Sequence, residues 1–326
     1  MPQKLSQRDS TALYFIKAVA ILASVAAHTS IIDLTTAWSG CITRLWDMFS
    51  CISVGAFLMV GGVLYVRTPG DSGSFWRKKA KFMILPWVFC ALLTCAYRHV
   101  MGHPSSFLGY IQWVLGNGSL YYYVTVYLVM MVLFKPIWQK PIALWCCVAV
   151  SAACLTLRAL GVEIPLDTLI DSEYLNPLYW MGFFALGILL RRNNMEIPKP
   201  AALAAVLVFA VSVVVVYRNW IYNYFHILNC LYSVSAFVLL LYLGRLVAGT
   251  AAARFFRWVG SATYCIYLLH VPVAPAVLRR LPSDGIMYLL APIIGVAVMM
   301  VLIELGKLLT RKLPFKDKLW MLVGLR

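Results

Sequence analysis

The sequence predicts an all-α fold: a polytopic membrane helix bundle of about ten transmembrane helices. Three observations point to it. The 326 residues are 62% hydrophobic and only 12% charged, with a mean hydropathy of +0.82, whereas a soluble domain carries about 25% charged residues. The apolar residues fall in runs close to the roughly 20 residues that span a hydrocarbon core. The polar breaks between the runs are short, which leaves no room for a soluble domain, so residues 1–326 form one membrane domain.

The runs follow in order. The first covers 11–33; its apolar length and the interruption at Lys17 separate it from a cleaved signal peptide. The second covers 47–66 and stops at Arg67. The third, 82–100, follows Arg77-Lys78-Lys79-Ala80-Lys81. The fourth covers 119–134, ahead of Lys135, and the fifth 142–160. The sixth, 176–190, ends at Arg191-Arg192. The remaining four cover 201–217, 227–244, 258–276 and 286–306. The loop 101–118 is amphiphilic and suits the interface, and the tail from Lys307, with Trp320, Met321 and Leu322, suits the inner membrane surface.

Charge sets the orientation. With the N-terminus cytoplasmic, most of the 28 lysines and arginines fall in cytoplasmic loops and tails, as the positive-inside rule requires. The loop after the fifth span carries Glu163, Asp167, Asp171 and Glu173 and no base. Both termini are therefore expected in the cytoplasm. The same rule accounts for the net charge of +16; no nucleic-acid motif accompanies it, so nucleic acid is not an expected partner. The nine cysteines show no metal-ligand spacing and most lie within apolar runs, so no metal is expected. Cys41 is expected in a loop.

Two residues of the first run do not suit lipid. Lys17 and His28 lie eleven positions apart, about three turns and roughly 16 Å, so they share one helical face. Ionisable groups at membrane depth are sites by default, although a lysine can also snorkel to the interface. The topology puts all five histidines, His28, His99, His103, His226 and His270, towards the outside; His28 and His270 lie a turn or two within the boundary. The Arg67 to Lys81 segment gathers cations on the inside. It either sets topology alone or meets an anionic cytoplasmic ligand such as a phosphorylated cofactor. Cations inside and imidazoles outside suit a device that takes a phosphorylated donor and performs base chemistry on a hydroxyl near the outer face. Asp33 and Asp47 are possible imidazole partners, while Trp113, Tyr121 and Tyr122 either stack on a sugar or form an aromatic belt.

Several segments together resemble the integral-membrane acyltransferase-3 family of bacterial glycan and lipid O-acyltransferases. That family carries Arg, ten residues, then His in its first span; Lys17 and His28 keep the spacing with Lys for Arg. Phe57-Leu58-Met59-Val60-Gly61-Gly62 is similar to the turn that closes its second span. The Arg77–Lys81 cluster leading to Pro86-Trp87 matches its basic segment. Ser119-Leu120-Tyr121-Tyr122, running to Pro136, resembles its His-Leu-Trp-Tyr/Phe segment with Ser in place of His. Tyr179–Gly187 and the run from Ser261 to His270-Val271-Pro272 resemble two later segments. Lysine lacks the bidentate fork of arginine, so position 17 is a chemical departure.

The resemblance implies an inner-membrane O-acyltransferase that uses cytoplasmic acyl-CoA, with acetyl-CoA the expected donor. Lys17, Arg77, Lys78, Lys79 and Lys81 would hold the donor phosphates. His28 would act as general base on a hydroxyl of a glycan or lipid-linked sugar, and His270 would orient His28 or bind the acceptor. Asp33, Asp47, Ser119, Tyr121 and Tyr122 would meet the acceptor. No serine or cysteine stands beside His28 as a nucleophile, which favours direct transfer. The alternatives are a sugar or lipid transporter, against which the absence of an inverted repeat weighs, and a non-catalytic partner in envelope assembly. The sequence sets neither the oligomeric state nor the acceptor.

Overall fold

The computed structural model describes residues 4–29, 35–65, 72–278, 280 and 285–325. Among these residues every regular element is a helix. Helix α1 (Gln7–Thr29) is followed by α2 (Ala37–Ser50), α3 (Ile52–Val63), α4 (Ser72–Lys79), a π-helical turn (Ala80–Ile84) and α5 (Leu85–Val100). Then come α6 (Phe107–Leu115), α7 (Tyr122–Leu133), α8 (Pro141–Ala159), α9 (Pro165–Ile170), and α10 (Pro177–Arg192). The chain closes with α11 (Lys199–Asn219), α12 (Ile227–Leu246), α13 (Ala251–Leu278), α14 (Met287–Thr310) and the short α15 (Lys316–Leu322).

Eight runs of the described chain are long and apolar enough to cross a membrane, counting Ala37–Val63 and Gly73–Val100 as one run each. The other two expected spans are the shorter helices α7 and α10. At 1.5 Å per residue, α7 covers about 18 Å, less than a hydrocarbon core of roughly 30 Å. Helix α1 is central: it packs against α2, α3, α12, α13 and α14. Helix α10 packs on α3 and α8, and α11 lies outside against α12 with most of its side chains exposed.

Two expectations are corrected. The second span begins ten residues earlier than expected, at Ala37, so Cys41 is helical and not in a loop. Thr36 explains the start: its hydroxyl accepts from the Ser39 N–H in a capping box. The run then breaks at Cys51, where Tyr224 donates to the Ser50 carbonyl at 3.2 Å and Ser233 to the Cys51 carbonyl at 2.8 Å. The Arg77–Lys81 cluster is likewise helical, because α4, the π turn and α5 run on without a loop. The C-terminal segment folds onto the bundle: Trp320 Nε1 donates to Thr310 Oγ1 at 2.9 Å, and Cys90 Sγ donates to the Leu322 carbonyl at 3.8 Å.

Two of the prolines inside spans, Pro272 and Pro292, are compensated from neighbouring elements. Pro272 has no N–H, so the Leu268 carbonyl loses its helical partner; the buried Tyr121 hydroxyl donates to it at 3.2 Å. Pro292 does the same to the Tyr288 carbonyl, and Trp46 Nε1 donates there at 3.1 Å. Each repair ties two helices together. The closest crossing joins α3 and α10: a Cβ on Gly62 would lie 2.2 Å from the Phe184 carbonyl oxygen, and one on Gly187 would lie 2.1 Å from that of Met59. At this contact, as in other membrane bundles, small residues let backbones approach. At one end of the bundle, Asp9 in the first turn of α1 pairs with Arg245 in the last turn of α12 at 2.6 Å.

Candidate functional site

The central helix carries both residues of the first-span pair. Lys17 is half-buried, with its ammonium 4.8 Å from the centre of the Tyr14 ring. His28 lies in the last turn of α1 and keeps an exposed ring. Its neighbour is His270 of α13, at 5.3 Å between ring centres. His270 is fully buried. Its Nδ1 lies 3.1 Å from the Ile266 carbonyl and 2.9 Å from that of Tyr267. A carbonyl only accepts, so Nδ1 carries the proton in the neutral ring and Nε2 holds the lone pair. Nε2 is buried and has no hydrogen-bond partner among the described residues.

Below this pair lies a cavity of about 460 Å³, within the size range of small-molecule sites. Its cations are Lys17 and Lys79. Lys79 Nζ sits 5.3 Å from the Tyr127 ring centre and 5.5 Å from that of Phe75. Ser261 and Thr263 from α13 supply hydroxyls. The walls are aromatic: Tyr14, Phe57, Tyr123, Tyr127 and Tyr264. Tyr267 closes it on the side of the histidines. Its hydroxyl donates to the Leu120 carbonyl. Its ring centre is 5.4 Å from that of Tyr123 and 6.2 Å from that of His270. One aromatic ring therefore separates the cation-lined space from the imidazole pair.

The remaining expected site residues divide. Arg77 and Lys78 are outside the lining of this cavity, and Lys78 is exposed. Lys81 turns to a second, neighbouring cavity. The structure thus assembles Lys17, Lys79, His28 and His270 and leaves the other cations of the cluster apart. Asp33 and Arg67 lie outside the described residues. Asp47 is buried and accepts from Trp220 Nε1 at 2.8 Å; among the described residues it forms no bond to an imidazole. Ser119 holds a turn, donating to the Trp113 carbonyl at 2.6 Å and accepting from the Tyr121 N–H at 3.3 Å. Tyr121 is fully buried behind α13 with its hydroxyl 2.8 Å from Thr94 Oγ1. Tyr122 packs on Tyr174 at 4.8 Å between ring centres. Trp113 carries the Arg98 guanidinium 4.0 Å from its ring centre.

Sequence reasoning did not single out Tyr14, Tyr123, Tyr127 or Tyr267, because an aromatic residue in an apolar run reads as packing or as interfacial belt. The signal for Tyr267 was present in the segment from Ser261 to His270. Four of its residues, Ser261, Thr263, Tyr264 and Tyr267, line the cavity. The other segments fall into place around it. Phe57–Gly62 and Tyr179–Gly187 form the close crossing of α3 and α10. Ser119–Tyr122 supplies the Leu120 carbonyl and the Tyr121 hydroxyl that hold α13.

Residues 11–310 match a family model described as an acyltransferase domain. No curated protein and no solved structure matches the chain.

Proposed function

From the premise that this chain belongs to the acyltransferase-3 family of membrane acyltransferases, we propose that it is an O-acyltransferase drawing on cytoplasmic acyl-CoA, with acetyl-CoA as donor. The acceptor is a hydroxyl of a glycan or lipid-linked sugar at the outer face of a bacterial inner membrane. Both termini are cytoplasmic in this reading, the orientation that the distribution of lysine and arginine favours. One observation carries it: a cavity with Lys17 and Lys79 on its walls ends at Tyr267, one ring away from the His270–His28 pair.

The roles follow from the chemistry. Lys17 and Lys79 neutralise donor phosphates by charge-assisted hydrogen bonds. Tyr14, Phe57 and Tyr127 flank the organic part of the donor. Arg77 and Lys78, on the helix that carries Lys79, raise the local concentration of an anionic donor by long-range attraction. The thioester passes Tyr267 to reach His28. A neutral His28 takes the proton of the acceptor hydroxyl as the oxygen attacks the thioester carbon. The new C–O bond forms, the C–S bond breaks, and the proton on His28 passes to the departing thiolate. The products are the O-acyl ester and free CoA thiol. His270 positions His28: its ring is held by two backbone carbonyls, and its Nε2 lone pair is available to fix the partner imidazole as the acceptor binds.

The test uses the purified full-length protein in detergent with acetyl-labelled acetyl-CoA, with and without a crude envelope glycan. The expected result is acceptor-dependent release of thiol and transfer of label to the glycan. Movement of a sugar substrate across reconstituted vesicles with no thiol release would overturn the reading in favour of a transporter.

A further inference from the structure

The second cavity is not used by the acyl-transfer reading. It measures about 870 Å³ and lies between the π turn, the end of α14 and α15. Five cations line it, Lys81, Lys307, Arg311, Lys316 and Lys318, against a single carboxylate, Asp317. Lys307 is paired with Glu304 at 2.8 Å. Among the described residues the other four cations form no ion pair. Like charges gathered at one concave surface repel and attract a counter-anion.

The rest of the lining is apolar: Phe82, Trp320, Met321, Leu322 and Leu325. The wall is fixed in place. Trp320 packs on Gly306 so closely that a Cβ there would sit 2.5 Å from the indole. Its Nε1 is bonded to Thr310 Oγ1 at 2.9 Å, and that hydroxyl donates to the Gly306 carbonyl at 2.8 Å. Two of its lining residues, Lys307 and Arg311, stand at the end of the candidate span α14, whose last turns also carry the exposed side chains of Leu305, Leu308 and Leu309. Cations and apolar side chains lining one cavity at the end of a candidate span match an amphiphile that has a phosphate at one end and hydrocarbon at the other.

We propose that this second cavity binds the phosphate headgroup of an anionic membrane lipid, with Arg311, Lys316, Lys318 and Lys81 on the phosphate and the apolar lining beside the start of the acyl chains. The apolar half of the lining, beside the charge, favours a lipid over a soluble phosphate. The site shares Phe82 with the first cavity but none of its cations, and its readout is lipid binding, so either reading can fail alone.

The test takes the full-length protein in neutral detergent and measures lipid retention by native mass spectrometry and the thermal unfolding midpoint. The probes are dioleoylphosphatidylglycerol, zwitterionic dioleoylphosphatidylcholine, and adenosine 3′,5′-bisphosphate as a soluble phosphate. The expected result is retention of, and stabilisation by, phosphatidylglycerol alone. Each cation near an anionic surface contributes roughly fivefold in affinity, so Arg311→Gln/Lys316→Gln should lose about 25-fold. Arg311→Lys/Lys316→Arg should retain binding, which separates charge from folding. Lys199→Gln, which removes an exposed cation elsewhere, should change nothing. Equal loss in Lys199→Gln would mean diffuse surface attraction and overturn the site. Absence of lipid retention, or binding of the bisphosphate in preference to the lipid, would overturn it as well.

Discussion

At the scale of single residues, the proposed chemistry rests on where two cations and two imidazoles stand. Lys17 occupies a position at which the family carries Arg, and a lysine delivers a point charge without a planar fork. One charge-assisted contact is then at stake. Lys17→Met should raise KM for acetyl-CoA roughly tenfold to a hundredfold and leave kcat within a small factor; steady-state kinetics with varied donor checks this. Lys17→Arg should keep KM near that of the parent. Lys17 and His28 were legible in the sequence because ionisable groups are rare inside apolar runs. The division of the basic cluster was not: whether Lys79 or Lys81 faces the first cavity depends on the π turn that starts after Lys79 and contains Lys81, which has no signature in residue type. Tyr267 was hidden for a different reason, since its role comes from the space on either side of its ring.

At the scale of elements, helices are tied by groups that a simple hydropathy reading treats as breaks. The α3–α10 crossing depends on Gly62 and Gly187, and Gly187→Ala would drive a Cβ into the Met59 carbonyl. The opposing atom is backbone, so no rotamer change relieves the clash. Overpacking of this kind costs about 1–3 kcal/mol, and the thermal unfolding midpoint in detergent should fall accordingly. The loop before α12 gives a pH dependence. His226 caps α12 by accepting the Leu228 N–H at Nδ1, 3.2 Å away. Burial holds its pKa below the ordinary 6.5. A folded-state pKa below the unfolded value means that the unfolded chain binds the extra proton first. Stability from this cap is therefore present above about pH 6.5 and lost as the pH falls through the folded value. His226→Asn, which keeps a capping acceptor but does not titrate, should flatten this part of the curve of unfolding midpoint against pH. Span positions were legible from apolar length, whereas the early start of α2 and the break at Cys51 were not, because Thr36 and Ser233 act through hydrogen bonds to backbone.

At the scale of the whole molecule, one central helix joins two ends of a bundle. Lys17 faces the cavity that also holds Lys79, and His28 meets His270 beyond Tyr267. The all-helical bundle was legible because composition and run length leave no alternative fold for such a chain. The meeting of α1 with α13 was not legible from periodicity, since residues 28 and 270 are brought together by packing; the topology put the two histidines at the same depth, and it could not make them neighbours. The central claim is that the imidazole pair performs the chemistry while the cations hold the donor. The most direct test is turnover of acetyl-CoA with an accepted glycan by the purified His28→Ala protein, beside a measurement of acetyl-CoA binding to the same protein. The predicted result is a loss of kcat of roughly a hundredfold or more, the weight of general-base catalysis, with donor affinity unchanged. Turnover at the parent rate in His28→Ala would contradict it.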